Sequence, residues 1–260
     1  MLTVVCAVLF GIEGSGMMIG NTGAFLTSKL PYDAEVEYLE STGTQYIDIG
    51  VAFNKYADFH VQAETKMLNS NRAVIIGNYI GGSSPNIQEF GIEYGGTSNK
   101  YPYKPRLWMR YGAQSLDNNL MSYFWPSQIT TNAIINLTYS HASNDVLFEV
   151  NGISRILQAP TTNPFAATTE NLRMFSDRRA DAGSVLNGML RIYSLRIESE
   201  TTVRNFQPIR FTNELGQSEG AMYDRANPTI GMDPDGSPRT DGLYRNRGTG
   251  AFVIGSDKTA

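Results

Sequence analysis

The chain has 260 residues, which is enough for one large domain or for one domain with an additional arm. Hydrophobic residues make up 41% and charged residues 18%, with 25 glycines and 11 prolines, so a mainly disordered chain is excluded and strands joined by turns are favoured. The formal net charge of -4 provides no positive field for a phosphate backbone, and we expect no nucleic-acid partner.

Cysteine and histidine are scarce. Cys6 is the one cysteine, so neither an internal disulfide nor a cysteine-based zinc site can form. His60 and His141 are the two histidines, which excludes a three-histidine metal centre and leaves few bases for a catalytic triad. This composition argues against much enzyme chemistry, and we expect no cofactor, with calcium as the exception considered below.

Residues 1–34 are predicted to form an N-terminal arm. Within them, Leu2–Ile12 is apolar but too short for a membrane span of about 20 residues, so no membrane span is expected. The first basic residue is Lys29, whereas a secretion signal normally carries one ahead of its apolar run. A secretion signal, a buried strand, a partner-binding arm and a misassigned start all stay open. Residues 15–28 are typical of a flexible or partner-stabilised connector.

From Glu35 onward, the sequence predicts short strands separated by turn residues. They alternate between apolar and polar side chains, and no segment has a sustained helical period. The predicted strands include Gln45–Val51, Asp58–Thr65, Ala73–Tyr79, Phe90–Tyr94, Arg106–Tyr111, Asn132–Tyr139, Val146–Val150, Leu172–Phe175 and Met189–Ile197. Asn151 and Gly152 predict a hairpin turn, because both tolerate positive φ. The pattern predicts an all-β fold of two stacked antiparallel sheets.

Alternation also predicts which side chains face the core. Along Gln45–Val51, the residues Ile47, Ile49 and Val51 share one face, and Asp48 lies on the other. Along the strand near residue 190, the two predicted faces are both partly polar. These are Leu190, Ile192, Ser194 and Arg196 on one side, and Met189, Arg191, Tyr193, Leu195 and Ile197 on the other.

Four motifs follow one another in a recognisable order. They are Glu37–Val51 (EYLESTGTQYIDIGV), Asn136–Gly152 (NLTYSHASNDVLFEVNG), Gly188–Ile197 (GMLRIYSLRI), and the closing Val203–Phe211 with Ala221–Asp224 and Leu243–Gly255. Together they resemble the concanavalin A-like, laminin G-like jelly-roll domains of gut bacteria and their phages. The resemblance covers about Glu35 to Gly255. It implies a jelly-roll β-sandwich at 35–260 on a secreted, surface-attached or virion protein, commonly with a role in glycan binding or adhesion.

Asn227–Gly242 (NPTIGMDPDGSPRTDG) departs from that family pattern and is predicted to be an insertion near 227–242. Asp233, Asp235 and Asp241 surround a glycine in this segment. Their carboxylates are candidate ligands for calcium, which prefers oxygen donors. A solvated loop with Asx turns is the alternative, because the twelve-residue calcium loop with its terminal Glu is absent.

Glu35, Glu37 and Glu40 (EVEYLE) are similar to the E-x-D-x-x-E signature of jelly-roll glycosidases. Residues two apart on a strand share a face and can hold a pair of acids at a distance suited to retention. The middle residue departs from the signature, and the segment lies at the edge of the domain. We therefore predict no catalytic residues, with a glycoside hydrolase as the third hypothesis.

Two further enzyme-like patterns are weak. Gly14, Gly16 and Gly20 resemble a dinucleotide loop with incorrect spacing, and no βαβ unit follows. His141 stands beside Ser140, but proximity in sequence does not establish a triad.

Aromatic residues cluster between positions 101 and 125 and are interleaved with basic residues. Such rings can stack on sugars while polar neighbours bind hydroxyl groups. Alternation predicts that Trp108 faces away from the core, with packing under a loop or a subunit contact as the alternative. The candidate ligand-binding residues are Trp108, Arg106, Arg110, Tyr103 and Trp125.

Two functional hypotheses follow. The first is a non-catalytic, extracellular or cell-surface module that binds glycans or a surface protein. The second is a virion component, such as a head fibre or tail appendage, that forms a homo-oligomer or contacts a virion partner through residues 1–34.

Overall fold

Strands form the regular structure of the chain. The computed structural model describes residues 30–54, 56–69, 71–80, 88–95, 101–111, 120–159, 170–177 and 188–259, with the backbone alone at 80, 88, 89, 110, 111, 120 and 121. No helix occurs in these ranges. The described residues therefore contain no helix that is long and apolar enough to span a bilayer. The strands are β1 (Ala34–Glu35), β2 (Leu39–Ser41), β3 (Ile47–Ala52), β4 (Phe59–Met67), β5 (Ala73–Ile80), β6 (Gln88–Tyr94), β7 (Pro105–Tyr111), β8 (Leu120–Phe124), β9 (Ala133–Ser140), β10 (Asp145–Val150), β11 (Ile153–Gln158), β12 (Asn171–Met174), β13 (Leu190–Ser199), β14 (Val203–Thr212), β15 (Ser218–Asp224), β16 (Gly231–Met232), β17 (Pro238–Arg239), β18 (Leu243–Tyr244) and β19 (Val253–Ile254).

The described strands form two sheets. The large sheet has 13 strands in the order β11-β10-β9-β4-β13-β14-β15-β18-β16-β17, with β1, β2 and β19 paired beside β13 and β14. The small sheet has six strands in the order β3-β12-β5-β6-β7-β8. The described strand pairs are antiparallel except for β16 and β18. The all-β jelly-roll sandwich that the sequence predicts is confirmed.

A hydrophobic core lies between the sheets. The large sheet contributes alternate side chains such as Val61 and Ala63 of β4 and Leu137 of β9, and the small sheet contributes Ile92 of β6 and Leu107 of β7; all are fully buried. Because alternate residues of a strand face opposite sides, the intervening side chains point away from the core. They form the two outer faces of the sandwich.

The first and last family-like motifs contact each other. The Gln45 side chain donates to the carbonyls of Thr249 and Ala251 at 3.2 and 3.1 Å, and the Thr44 hydroxyl donates to Thr249 O at 2.7 Å. Gly248 is needed here, because a Cβ would come within 2.0 Å of the Thr44 carbonyl oxygen. The chain thus closes the sandwich beside the place where its first strands begin, and β19 pairs with β2.

The predicted strands occur close to their predicted bounds, and the hairpin turn is confirmed. Asn151 and Gly152 have φ angles of 51° and 80°, as a two-residue turn between β10 and β11 requires. The prediction for β13 was wrong in one respect. A bulge between Ile192 and Ser194 shifts its register, so that Leu195 faces the same core as Ile192.

The segment 227–242 adds short strands to the large sheet. β16 and β17 form a hairpin, and β16 pairs in parallel with β18. Arg247 fixes this hairpin to the small sheet, since its side chain donates to Pro234 O at 3.0 Å and to Asp48 Oδ2 at 3.0 Å. Asp48, expected on the polar face of β3, is therefore buried beneath an arginine.

Candidate binding surface

Trp108 projects from β7 away from the core, as the alternation predicts, but its ring is half-buried and contacts two arginines. The guanidinium carbons of Arg72 and Arg106 lie 4.7 and 4.8 Å from its ring centroid. The indole nitrogen is buried without a hydrogen-bond partner, and a Cβ on Gly91 would come within 2.5 Å of it. Two cations and the backbone of the neighbouring strand therefore occupy the surroundings of the ring.

Ion pairs hold the two arginines in place. Arg72 Nε donates to the buried carboxylate of Glu93 at 2.6 Å, and Arg106 Nη1 donates to the same group at 3.1 Å. Arg72 also contacts the buried carboxylate of Asp177 at 3.1 Å. Removing one partner would leave a charge buried and unpaired, so this cluster is a rigid part of the small sheet's outer face.

The other predicted ligand-binding residues differ in their surroundings. Trp125 is 4% exposed and packs edge-to-face on Phe148 at 5.8 Å in the hydrophobic core. Tyr103 packs partly against the core and has a φ of 57°. Arg110 lies on β7, but its side chain is outside the described part of the structure. Residues 1–29, which include most of the predicted arm, also lie outside it.

Arginine binds two of the three aspartates of the insertion. Arg239 donates to Asp233 Oδ1 at 2.7 Å and to both carboxylate oxygens of Asp241, and Asp235 accepts from Ser237. Although partial burial works to raise it, the hydrogen bond and charge of Arg239 lower the pKa of Asp241. No group of three or more metal-ligating side chains occurs among the residues that the structure describes. These contacts favour a salt-bridged loop over a calcium site.

Two of the predicted glycosidase-like acids each form an ion pair with an arginine. Glu35 pairs with Arg225 at 2.5 Å, while Glu40 pairs with Arg191 at 2.7 Å. Partial burial works to raise the pKa of Glu35, but the bond and charge of Arg225 lower it overall. A general acid needs a raised pKa, whereas the pKa of Glu35 is lowered.

The contacts of the two histidines do not form a catalytic triad. His60 Nδ1 lies 2.9 Å from Thr138 Oγ1, and the His141 ring meets Tyr56 edge-on at 6.0 Å. Across the described ranges, no contact joins serine, histidine and carboxylate in series.

A groove that the sequence did not predict lies on the outer face of the large sheet. We call it the tyrosine groove, and it has a volume of about 390 Å³. Its lining residues are Glu37, Tyr38, Glu64, Arg191, Tyr193, Ser194, Gln207 and Lys258. The β13 bulge gives the chain an additional residue here, which allows Tyr193 and Ser194 both to line the groove.

Two half-buried tyrosine rings form one part of the tyrosine groove. Tyr38 and Tyr193 meet edge-to-face with ring centroids 5.5 Å apart, and the Arg191 guanidinium carbon lies 4.1 Å from the Tyr38 centroid. Burial works to lower the pKa of Arg191, but bonds to Glu40 and Tyr193 raise it. The arginine therefore remains charged and holds the tyrosine pair in a fixed arrangement.

A second depression lies on the same face. It has a volume of about 280 Å³ and is lined by Asp58, Phe59, His60, Thr138, Glu198, Ser199 and Glu200. His60 lies four residues from Glu64 on β4, which corresponds to roughly 13 Å along a strand. Between them, Gln62 pairs across the sheet with Asn136 and Arg196. Asn136 has a buried side-chain oxygen without a hydrogen-bond partner.

Comparisons with known proteins give similarities to solved structures alone. No protein-family model and no curated protein matches the sequence. The sialidase CBM40 of Ruminococcus gnavus is 11% identical, with a TM-score of 0.46 over 65% of this chain and 92% of that chain. Domains LG4-5 of the mouse laminin alpha1 chain are 8% identical, with a TM-score of 0.42 over 67% and 44%. A tailspike domain of bacteriophage CBA120 is 13% identical, with a TM-score of 0.40 over 60% and 24%.

Proposed function

We propose that this protein is a non-catalytic binding module that recognises glycans through the tyrosine groove. The observation that carries the proposal is the pair Tyr38 and Tyr193, which lies on an open face and is held by Arg191. Aromatic rings offer flat apolar surfaces to the C–H faces of sugars.

The polar residues of the groove fit the same kind of ligand. Glu37 and Lys258 are exposed, and Glu64 and Ser194 are half-buried, so both donors and acceptors surround the rings. A few polar groups around an apolar surface are typical of sites that orient a small ligand. Positive and negative groups are mixed here, which favours the hydroxyl groups of sugars over a strongly charged polymer.

The ion pairs and the pKa of the acidic residues support the non-catalytic part of the proposal. Glu35 and Glu40 each have an arginine partner, and the pKa of Glu35 is lowered. Hydrolysis of a glycosidic bond requires an acid that stays protonated near neutral pH and a second carboxylate on the other side of the bond. A binding role fits these residues better, and the proposal places the module outside the cell or at its surface with a role in adhesion.

The test is a glycan array with the full chain, followed by titration of the strongest ligand into variants. We expect Tyr193→Ala and Tyr38→Ala to weaken binding at least about tenfold, or ~1.4 kcal/mol, as for a central aromatic contact. Tyr101→Ala is the matched control, since Tyr101 stacks on Phe124 at 4.1 Å beside the small sheet. An empty array, or equal affinity in all variants, would refute the proposal.

The virion hypothesis depends mainly on residues 1–29, which lie outside the described residues, and it stays a prediction. Light scattering on the full chain and on a chain beginning at Asp33 addresses it. Oligomers that depend on the arm would favour it.

A further inference from the structure

Strand β11 is the outermost strand at one end of the large sheet. Of the described strands, β10 alone pairs with it, in a continuous register from Ile153 to Gln158. Five of its six residues are exposed and the sixth is half-buried. A strand at a sheet edge presents unpaired N–H and C=O groups, which can pair with another chain.

The register identifies which groups point outward. In the two-residue hairpin, Val150 and Ile153 exchange backbone hydrogen bonds, and every second pair along the ladder does the same. The bond from Ala159 N to Asn144 O at 2.9 Å continues this series. The N–H and C=O groups of Ser154, Ile156 and Gln158 therefore point away from β10.

Apolar side chains are concentrated at this edge. Ten large hydrophobic residues are exposed in the described chain, and four of them, Ile134, Leu147, Ile153 and Ile156, belong to β9, β10 and β11. Ile156 is 72% exposed and pairs directly with Leu147. Sheet edges are usually protected by proline, bulges or several charges, and β11 has one charged residue, Arg155.

We propose that β11 is a homodimer interface in which it pairs with β11 of a second copy in antiparallel register about a two-fold axis at Ile156. An antiparallel edge is self-complementary under such an axis. Ile156 then faces the partner's Ile156, and Leu147 on each side extends this into a row of four apolar side chains. Ser154 faces the partner's Gln158, so no like charges oppose each other at the contact.

The second copy fits this edge better than an unrelated strand, because the polar residues at the ends match under the two-fold axis. In each copy Gln158 already bonds to Asp145, which lies one strand away from the contact. We expect two six-residue edges to bury less than the area of a standard interface, about 1,600 Å², so the dimer should be weak. Association therefore depends on protein concentration.

The test is sedimentation equilibrium of the full chain over the widest attainable concentration range. We expect wild type to approach twice the mass of one chain at high concentration, and Ile156→Lys to remain monomeric. Leu215→Lys is the matched control, because Leu215 is 81% exposed in the turn between β14 and β15, and it should dimerise as wild type does. Monomeric wild type at all concentrations, or dimerisation that persists in Ile156→Lys, would overturn the proposal.

Hydrogen exchange on wild type provides a second measurement that needs no variant. The amide exchange rates of Ser154, Ile156 and Gln158 should fall as protein concentration rises, while the amides of Arg155 and Leu157 should be protected at all concentrations. Exchange at Ser154, Ile156 and Gln158 that does not depend on concentration would also overturn it. Glycan binding is measured in a separate experiment. A protein that does not dimerise would therefore leave the proposed glycan binding by the tyrosine groove unaffected.

Discussion

Trp108 and Tyr193 both project from a sheet away from the core, but their surroundings differ. Arg72 and Arg106 lie against the Trp108 ring, while Tyr193 lines an open groove. Alternation along β7 gives the direction of Trp108 correctly. It cannot reveal Arg72, because that residue precedes β5 and comes close to β7 only when the small sheet forms.

We therefore expect Trp108→Ala to affect stability and not glycan binding. The substitution removes a half-buried ring that contacts two ion-paired arginines, which should lower the free energy of unfolding by about 2–3 kcal/mol. Trp125→Ala, in the core, should cost more, at about 3–5 kcal/mol. Urea denaturation measures both. A Trp108→Ala protein with wild-type stability and lost binding would show that the small sheet carries the site.

Among the secondary-structure elements, β13 and the hairpin of β16 and β17 have features that the sequence pattern does not predict. The alternation of β13 predicts one strand but not its bulge, because the additional residue is accommodated by pairing with β2 and β4. The tyrosine groove results from that bulge, so it has no local sequence signal. Strands β8 and β11 were also not predicted, although the turn that precedes β11 was.

The aspartates of the insertion lead to a prediction about pH. Asp241 accepts hydrogen bonds from Arg239 and from Leu243 N, and its pKa is lowered from 3.8. Asp241→Asn should lower the free energy of unfolding by about 1–2 kcal/mol at neutral pH. A group with a lowered pKa stabilises the fold above its ordinary pKa, and this contribution disappears as pH falls through the lowered value.

Chemical denaturation from pH 7 to about 2 measures this difference. The wild-type and Asp241→Asn curves should converge at the acidic end, and Asp235→Asn, which alters an exposed carboxylate bound to Ser237, should have a smaller effect. Because arginine occupies the carboxylates of Asp233 and Asp241, calcium should leave the unfolding midpoint unchanged. Stabilisation by calcium, or a constant difference at all pH values, would contradict the salt-bridge explanation.

The sandwich as a whole gives the protein two outer faces of different character. The small sheet carries buried ion pairs around Glu93 and Trp108, whereas the large sheet is open along β4 and β13. The fold class could be predicted because period-two alternation is local and recurs in nearly every strand. The groove could not, since Tyr38 and Tyr193 are distant in sequence and meet through the pairing of β2 with β13.

A crystal structure of the full chain with its strongest glycan ligand tests the proposed function most directly. We expect a sugar ring to lie against Tyr38 and Tyr193, with its hydroxyl groups within hydrogen-bond distance of Glu64 or Lys258. A sugar bound at Trp108 instead, or one placed between Glu35 and a second carboxylate in a cleaved state, would contradict a non-catalytic site on the large sheet.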